Sequence, residues 1–306
     1  NEMFPSYLLQ TDITKIRGII TRKPTLTSHS VILAKAFQIP MITGVTEALS
    51  QIQEGERLII DAEKDEVLLC PGSEVVKEYE NSLKALSRMT QIKTRGRPVT
   101  RDGYEIRLSA NLGLIHEIPP LMKIDFHDIG LYRTEFLFLL QKDFPSVEEQ
   151  LETYSLILKK LKGKPVTFRT LDLGGDKQLS YFKLPQEENP LLGFRSIRIF
   201  KKHPQILKDQ LKALLQAAHS HDCRIMFPLV NHYEEFMFCS SLVKEAEKEL
   251  RREGRPYRVP PLGIMVETPA SVFNLAHFAG RVDFISVGTN DLLQYLGFFA
   301  FRNPVP

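Results

Sequence analysis

The sequence predicts an α/β protein in two unequal bodies. These are a small α/β domain over residues 1–72 and, after a connector over 73–98, a (β/α)8-type barrel over 99–306 with about six of its eight strands. Three observations carry this. From residue 99 onward, short apolar runs alternate with amphipathic stretches. Four of those runs end in a charged group. Pro71-Gly72 breaks the chain just before a long polar stretch with a narrow apolar stripe.

In the first body, residues 28–37 (SHSVILAKAF) read as a helix closed by Ile39-Pro40, because the residue before a proline avoids helical backbone. The apolar runs 58–60 and 67–69 flank a polar stretch and read as a hairpin. Ser73 is a good N-cap for a helix running to about Gln91. Its stripe is Val75, Val76, Tyr79, Leu83, Leu86 and Met89, at helical spacings, and suits a connector between two bodies. Residues 93–98 (KTRGRP) read as a hinge, and Asp102-Gly103 as a tight turn. Strands follow at 106–112, 129–134, 166–173, 225–230, 262–266 and 284–287. Helices at 147–161, 204–219 and 234–251 sit between them. This alternation gives a parallel sheet with crossover helices, and an open doubly wound sheet is the alternative to a barrel.

The totals narrow the function. Hydrophobic residues make up 43% of the chain, enough for a full core, and the net charge is only +3. Neither demands a nucleic-acid partner or membrane insertion. No apolar run reaches spanning length and no leader is seen, so a cytoplasmic location is expected. Three widely spaced cysteines, Cys70, Cys223 and Cys239, form no CxxC and are expected as reduced thiols. The chain opens at Asn1 and stops at Pro306 after an apolar stretch, which reads as a piece of a longer polypeptide.

The chemistry gathers at the strand ends. These are 130–135 (GLYRTE), 168–172 (FRTLD), 266–269 (VETP) and 288–291 (GTND). In a barrel the C-terminal ends of the strands meet at one mouth, which would bring Arg133, Arg169, Glu267 and Asp291 to one pocket. Guanidinium forks bind phosphate and carboxylate with paired hydrogen bonds. Arg195, in Gly193-Phe194-Arg195, is a third candidate. Glu267 and Asp291 are hard oxygen donors, and Mg²⁺ typically takes one or two such carboxylates plus substrate oxygens and water. The bland reading pairs each arginine with a nearby carboxylate and makes Glu267 and Asp291 helix caps. His29 follows Thr27-Ser28 at an expected helix start, where free N–H groups favour an anion on the ring and a neutral, nucleophilic nitrogen. Its bland reading is a capping or core histidine.

Together these segments resemble the Enzyme I family of the bacterial phosphoenolpyruvate-dependent sugar phosphotransferase system. The resemblance rests on Thr27-Ser28-His29 and on 130–138 (GLYRTEFLF), 169–177 (RTLDLGGDK), 187–195 (EENPLLGFR), 224–228 (RIMFP), 264–270 (IMVETPA) and 286–295 (SVGTNDLLQY). Order and spacing hold from about Pro5 to Tyr295. The resemblance implies a swivelling phosphohistidine domain at 1–72 and a phosphoenolpyruvate-binding TIM barrel at 99–306. It implies phosphoryl transfer to His29, substrate contacts from Arg133, Arg169, Arg195, Lys177 and Asn290, and Mg²⁺ on Glu267 and Asp291. It also implies onward transfer to the carrier protein HPr, whose docking domain is not in this sequence, and a homodimer formed through the complete barrel.

The sequence departs from the family in places. Pro24-Thr25 stands where the family has two glycines, and Leu26 replaces an arginine. Phe301 replaces an aspartate, which leaves Arg302 as the candidate for a further phosphate contact. None of the three cysteines matches the one that protonates the enolate. Two expectations follow: a phosphoenolpyruvate-protein phosphotransferase, or a non-catalytic member that binds phosphoenolpyruvate without turnover.

Overall fold

The structure is a computed structural model that describes residues 15–22, 34, 39–46, 48–90, 98–139, 141–175, 179, 181–185 and 187–297. The chain divides into two compact units, Asn1–Ile106 and Arg107–Pro306.

In the first unit, β1 (Ile19–Thr21) and β2 (Met41–Thr43) pair in parallel, and a single helical turn, α1 (Ala48–Gln51), follows. Strands β3 (Leu58–Asp61) and β4 (Glu66–Leu69) form the expected antiparallel hairpin. Asp61 accepts from the backbone N–H of Glu63 and Lys64, which shapes the turn between them. Helix α2 (Ser73–Thr90) begins one residue earlier than expected: Ser73 is its first residue rather than its cap, and Gly72 O accepts from Val76 N–H at 3.1 Å. Tyr79 on α2 donates to Asp61 at 3.0 Å and Glu80 pairs with Arg57 at 3.4 Å, so side chains join helix and hairpin. The helix around His29 lies outside the described residues, apart from the buried, helical Ala34. The hinge at 93–98 lies outside them as well, except Pro98. Val99 bridges Glu105 across the Asp102-Gly103 turn, where Gly103 takes φ +89°, a conformation that a side chain would strain.

The second unit is the sheet with its crossovers. Its elements in order are β5 (Ser109–Leu112), α3 (Ile118–Leu121), β6 (Asp128–Arg133), α4 (Glu135–Leu139), α5 (Val147–Lys160), β7 (Val166–Arg169), α6 (Ile197–Lys202), α7 (Pro204–Ser220), β8 (Cys223–Phe227), α8 (Tyr233–Arg252), β9 (Leu262–Val266), α9 (Pro269–Phe273), α10 (Leu275–Phe278), β10 (Phe284–Val287) and α11 (Thr289–Gly297). The six strands lie in the order β10-β9-β8-β7-β6-β5, all parallel, as a curled half-barrel. The right-handed crossover rule makes such a sheet bury its helix-facing side.

The core sits between sheet and helices. Phe168 on β7 packs edge-on against Tyr132 of β6, with ring centroids 5.3 Å apart, and lies 5.1 Å from Tyr154 of α5. On α7, Leu207, Leu211, Leu214 and Ala218 form the buried stripe. On α8 it is Phe236, Cys239, Val243, Ala246 and Leu250. Burial pushes the Cys223 thiol up to about 12 and raises Cys239 as well, so both stay protonated and inert, while Cys70 is exposed. Among the described residues, no helix is long and apolar enough to cross a membrane.

Three strands are shorter than expected. The run 166–173 leaves the ladder after Arg169, and Gly174 and Gly175 then turn with φ +104° and +65°. The run 225–230 stops at Phe227, because Pro228 supplies no N–H and Leu229 turns to φ +53°. The run 106–112 becomes a strand only from Ser109, because Ile106 N–H is taken by Pro98 O and Leu108 N–H by the His127 ring. The first two of these endings lie at the C-terminal side of the sheet, where Arg169 and Glu267 stand.

Candidate active site

Parallel register decides what meets at the strand ends. Arg133 is the direct neighbour of Arg169 across β6 and β7, and Val266 of Val287 across β9 and β10. A cavity of about 450 Å³ opens along this face of the sheet. Arg133, Arg169, Glu267, Gly288, Asn290 and Asp291 line it at the C-terminal ends of the strands. At the N-terminal ends it is lined by Asp128, which takes the Ser109 hydroxyl and pairs with Arg224 at 3.6 Å.

Arg169 is 6% exposed. Its Nη2 donates to Glu135 Oε1 at 2.6 Å, and Asp172 Oδ2 lies 4.0 Å away. Burial by itself would lower its pKa, but Glu135, Asp172 and Glu267 outweigh that and hold it firmly cationic. Its Nε is buried with no hydrogen-bond partner among the described residues, a donor left for a ligand. Arg133, by contrast, is exposed and makes no ion pair among the described residues. Each arginine can thus supply N–H groups to an anion in the cavity.

Arg195, just ahead of α6, is clamped more tightly. Its Nε and Nη2 grip Asp172 at 3.1 and 2.9 Å, and its Nη1 and Nη2 reach Asp291 at 3.3 and 3.4 Å. One guanidinium therefore ties the turn after β7 to the first turn of α11. Burial works against its charge, but Asp172 and then Asp291 keep it protonated. Ser196 beside it holds φ +48°, an uncommon backbone state for a non-glycine residue.

Glu267, at the end of β9, is 1% exposed. Its Oε1 accepts from Leu229 N–H at 2.8 Å, an interaction that rests on the left-handed turn at Leu229. Burial first, then Asp172 and Asp291, push its pKa up to about 8, against the pull of Arg169 and the Leu229 N–H. Such crowding of carboxylates is what a divalent cation relieves. The second oxygen of Glu267 faces Gly288, where an added Cβ would lie 2.8 Å from Oε2 and 2.7 Å from the Glu267 Cβ. Among the described residues, no three His, Cys, Asp or Glu side chains form a self-sufficient metal cage. Two carboxylates completed by substrate oxygens and water fit Mg²⁺, so the residues present suit that ion. Gly288→Ala is expected to displace the Glu267 carboxylate, to cost about 1–3 kcal/mol by overpacking, and to weaken Mg²⁺-dependent ligand binding. Calorimetric titration alongside a melting curve checks both.

The expected constellation is therefore assembled for Arg133, Arg169, Glu267, Asn290 and Asp291, with Arg195 joined to it through Asp291. His29, Lys177 and Arg302 lie outside the described residues. The bland reading of Arg169 also holds, since it does pair with carboxylates. Sequence reasoning gave no role to Glu135 and Asp172, although both lie inside motifs that it singled out. It missed Gln210 and the Leu229 N–H altogether. A buried glutamine in an otherwise apolar helical stripe was the available signal for the first, and the Pro228 break for the second.

Comparison with known proteins agrees with this geometry. Residues 87–301 match the PEP-binding domain of PEP-utilising enzymes, and residues 1–65 match their mobile domain. The chain is 39% identical over 302 residues to a phosphoenolpyruvate-protein phosphotransferase of Staphylococcus carnosus. It is 36% identical over 298 residues to that of Bacillus subtilis and 36% over 302 residues to that of Priestia megaterium. Each match covers 96% of this chain and 52% of the relative, so the chain spans about half the length of these curated relatives. With two successive domain matches and a half-barrel that carries its charged residues at the strand ends, the chain belongs to the family of PEP-utilising enzymes.

Proposed function

We propose that this chain carries the substrate site and the phosphate acceptor of a phosphoenolpyruvate-protein phosphotransferase. It takes the phosphoryl group of phosphoenolpyruvate onto His29, for onward delivery to HPr in sugar uptake. The observation that carries this is the side-by-side register of Arg133 and Arg169 on a cavity shared with Glu267, Asn290 and Asp291. Phosphoenolpyruvate has a carboxylate and a phosphate on one small carbon frame, and two adjacent guanidinium groups match that spacing of charge.

In this reading Arg133 and Arg169 orient the ligand and spread the charge on the moving group. Asn290 offers an amide N–H, and Arg195 keeps Asp291 in place through both of its carboxylate oxygens. Lys177 and Arg302 are further contacts to the carboxylate and phosphate. Mg²⁺ held by Glu267 and Asp291 would supply charge neutralisation at the phosphoryl oxygens. A ring nitrogen of His29 forms the new N–P bond as the P–O bond to the enol oxygen breaks, and the enolate then takes a proton from solvent or an acid. Cys223 and Cys239 are buried and cannot be that acid. We further propose a phosphohistidine domain over 1–72, a linker over 73–98 and the barrel over 99–306, in a cytoplasmic protein that dimerises through the complete barrel.

Incubation with ³²P-phosphoenolpyruvate and Mg²⁺ tests this. Acid-labile, base-stable label is expected on the wild type and none on His29→Ala. Unlabelled wild type that still binds phosphoenolpyruvate would favour the non-catalytic reading, to which Pro24-Thr25 ahead of His29 already points.

A further inference from the structure

Gln210 lies on the buried face of α7 at 0% exposure, among leucines and alanines. Every hydrogen-bonding group of its amide is engaged. Oε1 accepts from Leu171 N–H at 2.8 Å. Nε2 donates to Thr134 Oγ1 at 3.1 Å and to Tyr154 Oη at 3.0 Å. Each hydroxyl then passes its own proton on. Thr134 donates to the carbonyl of Arg169 at 2.9 Å, and Tyr154 donates to Gln150 Oε1 at 3.2 Å. Gln150 in turn donates to Pro145 O at 2.9 Å. The directions are forced, because rotating the Gln210 amide would set N–H against N–H at Leu171 and carbonyl against the network at Thr134.

We propose that Gln210 is a positioning residue that holds the Arg133 and Arg169 strand ends in one fixed relation for ligand binding. Packing alone does not call for an amide here, since the neighbouring positions on α7 are filled by leucine and a buried amide gains little net stability. What the amide adds is geometry. Through Thr134 it fixes the residue after Arg133 and the main chain of Arg169, and through Leu171 it fixes the turn that carries Asp172. Past the last paired residues Thr170 N–H still bonds Met226 O at 2.9 Å toward β8, whereas toward β6 the tie runs through Thr134 and Gln210. The inference rests on the reading of this cavity as the substrate site, and it names what sets that site's spacing.

The test is calorimetric titration of the 306-residue chain with phosphoenolpyruvate and Mg²⁺. The variants are Gln210→Met, Thr134→Val, the double variant, and Leu250→Ala as a core-destabilised control on α8. Gln210→Met and Thr134→Val are each expected to weaken binding on the order of tenfold or more. The double variant should bind no worse than the weaker single one, because both break one chain of contacts. Leu250→Ala should bind within about twofold of wild type even with an equal or larger fall in melting temperature. Wild-type affinity in Gln210→Met, or an equal loss in Leu250→Ala, would overturn the proposal. Thr134→Val removes one hydroxyl only, and it decides the question if Gln210→Met fails to fold. A ligand-free arm separates the two readings: in Gln210→Met the Leu171 amide should exchange faster and the Arg169 Nε–Hε resonance should move. Unchanged signals there refute the positioning role, whereas wild-type chain that binds no phosphoenolpyruvate refutes the substrate reading and leaves this arm to judge Gln210.

Discussion

Arg169→Met is expected to lose both the ligand and about 3–5 kcal/mol of stability, the usual cost of stripping one partner from a buried ion pair. The loss arises because Glu135 and Asp172 are buried at 5% and 0% exposure, and both face this guanidinium. Without it, Glu135 keeps its burial and loses its 2.6 Å contact. Arg133→Met is the informative contrast. Arg133 is exposed and has no ion-pair partner among the described residues, so its removal should leave stability within about 0.5 kcal/mol of wild type. It should still weaken phosphoenolpyruvate binding by about 1.5–3 kcal/mol, the worth of hydrogen bonds to a charged group. Denaturant titration paired with calorimetry reads both quantities. Equal stability losses in the two variants would contradict the buried pairing of Arg169. Unaltered affinity in Arg133→Met would remove it from the site.

Glu267→Gln should split stability from function in the opposite direction. Burial and the nearby Asp172 and Asp291 raise the pKa of this carboxyl from 4.5 to about 8. A carboxyl with a raised folded pKa binds its proton more tightly in the folded state than in the unfolded one. Stability therefore falls as pH rises between the two values and stays level above the folded one. The neutral amide escapes this penalty and can keep the Leu229 N–H contact through its own carbonyl. Without metal, Glu267→Gln should match wild type below about pH 4.5, gain progressively above it, and be about 1–3 kcal/mol more stable at pH 7. With Mg²⁺ and phosphoenolpyruvate the order should reverse, because the variant lacks one of the two proposed metal carboxylates. A variant less stable than wild type at pH 8 without metal would mean that Arg169 and the Leu229 N–H already satisfy the charge.

The strand ends were legible because two local signals coincide there. An apolar run marks each strand, and a charged residue immediately after it has only the mouth of the sheet to occupy. That reasoning placed Arg133, Arg169, Glu267 and Asp291 together with no knowledge of pairing. The ends themselves were drawn too long at 166–173 and 225–230, since leucine and valine beyond a strand look the same whether they continue the ladder or cap the core. Leu171, Leu173 and Val230 are all buried without being in a strand. Hydropathy reports burial, and burial does not distinguish a strand from a turn that is packed under helices.

By itself the sequence determined the order of the six sheet strands, the parallel α/β class and that Arg133, Arg169, Glu267 and Asp291 gather at one face, because periodicity and strand polarity are properties of short stretches of chain. Only the tertiary structure decided which of those groups meet. Glu135 finds Arg169 across 34 positions, Gln210 finds Thr134 across 76, and Arg195 finds Asp291 across 96. A buried charge takes whichever opposite charge or fitting donor the packing brings within about 3 Å, and that choice is made by the sheet register and the crossover helices rather than by neighbours in the chain.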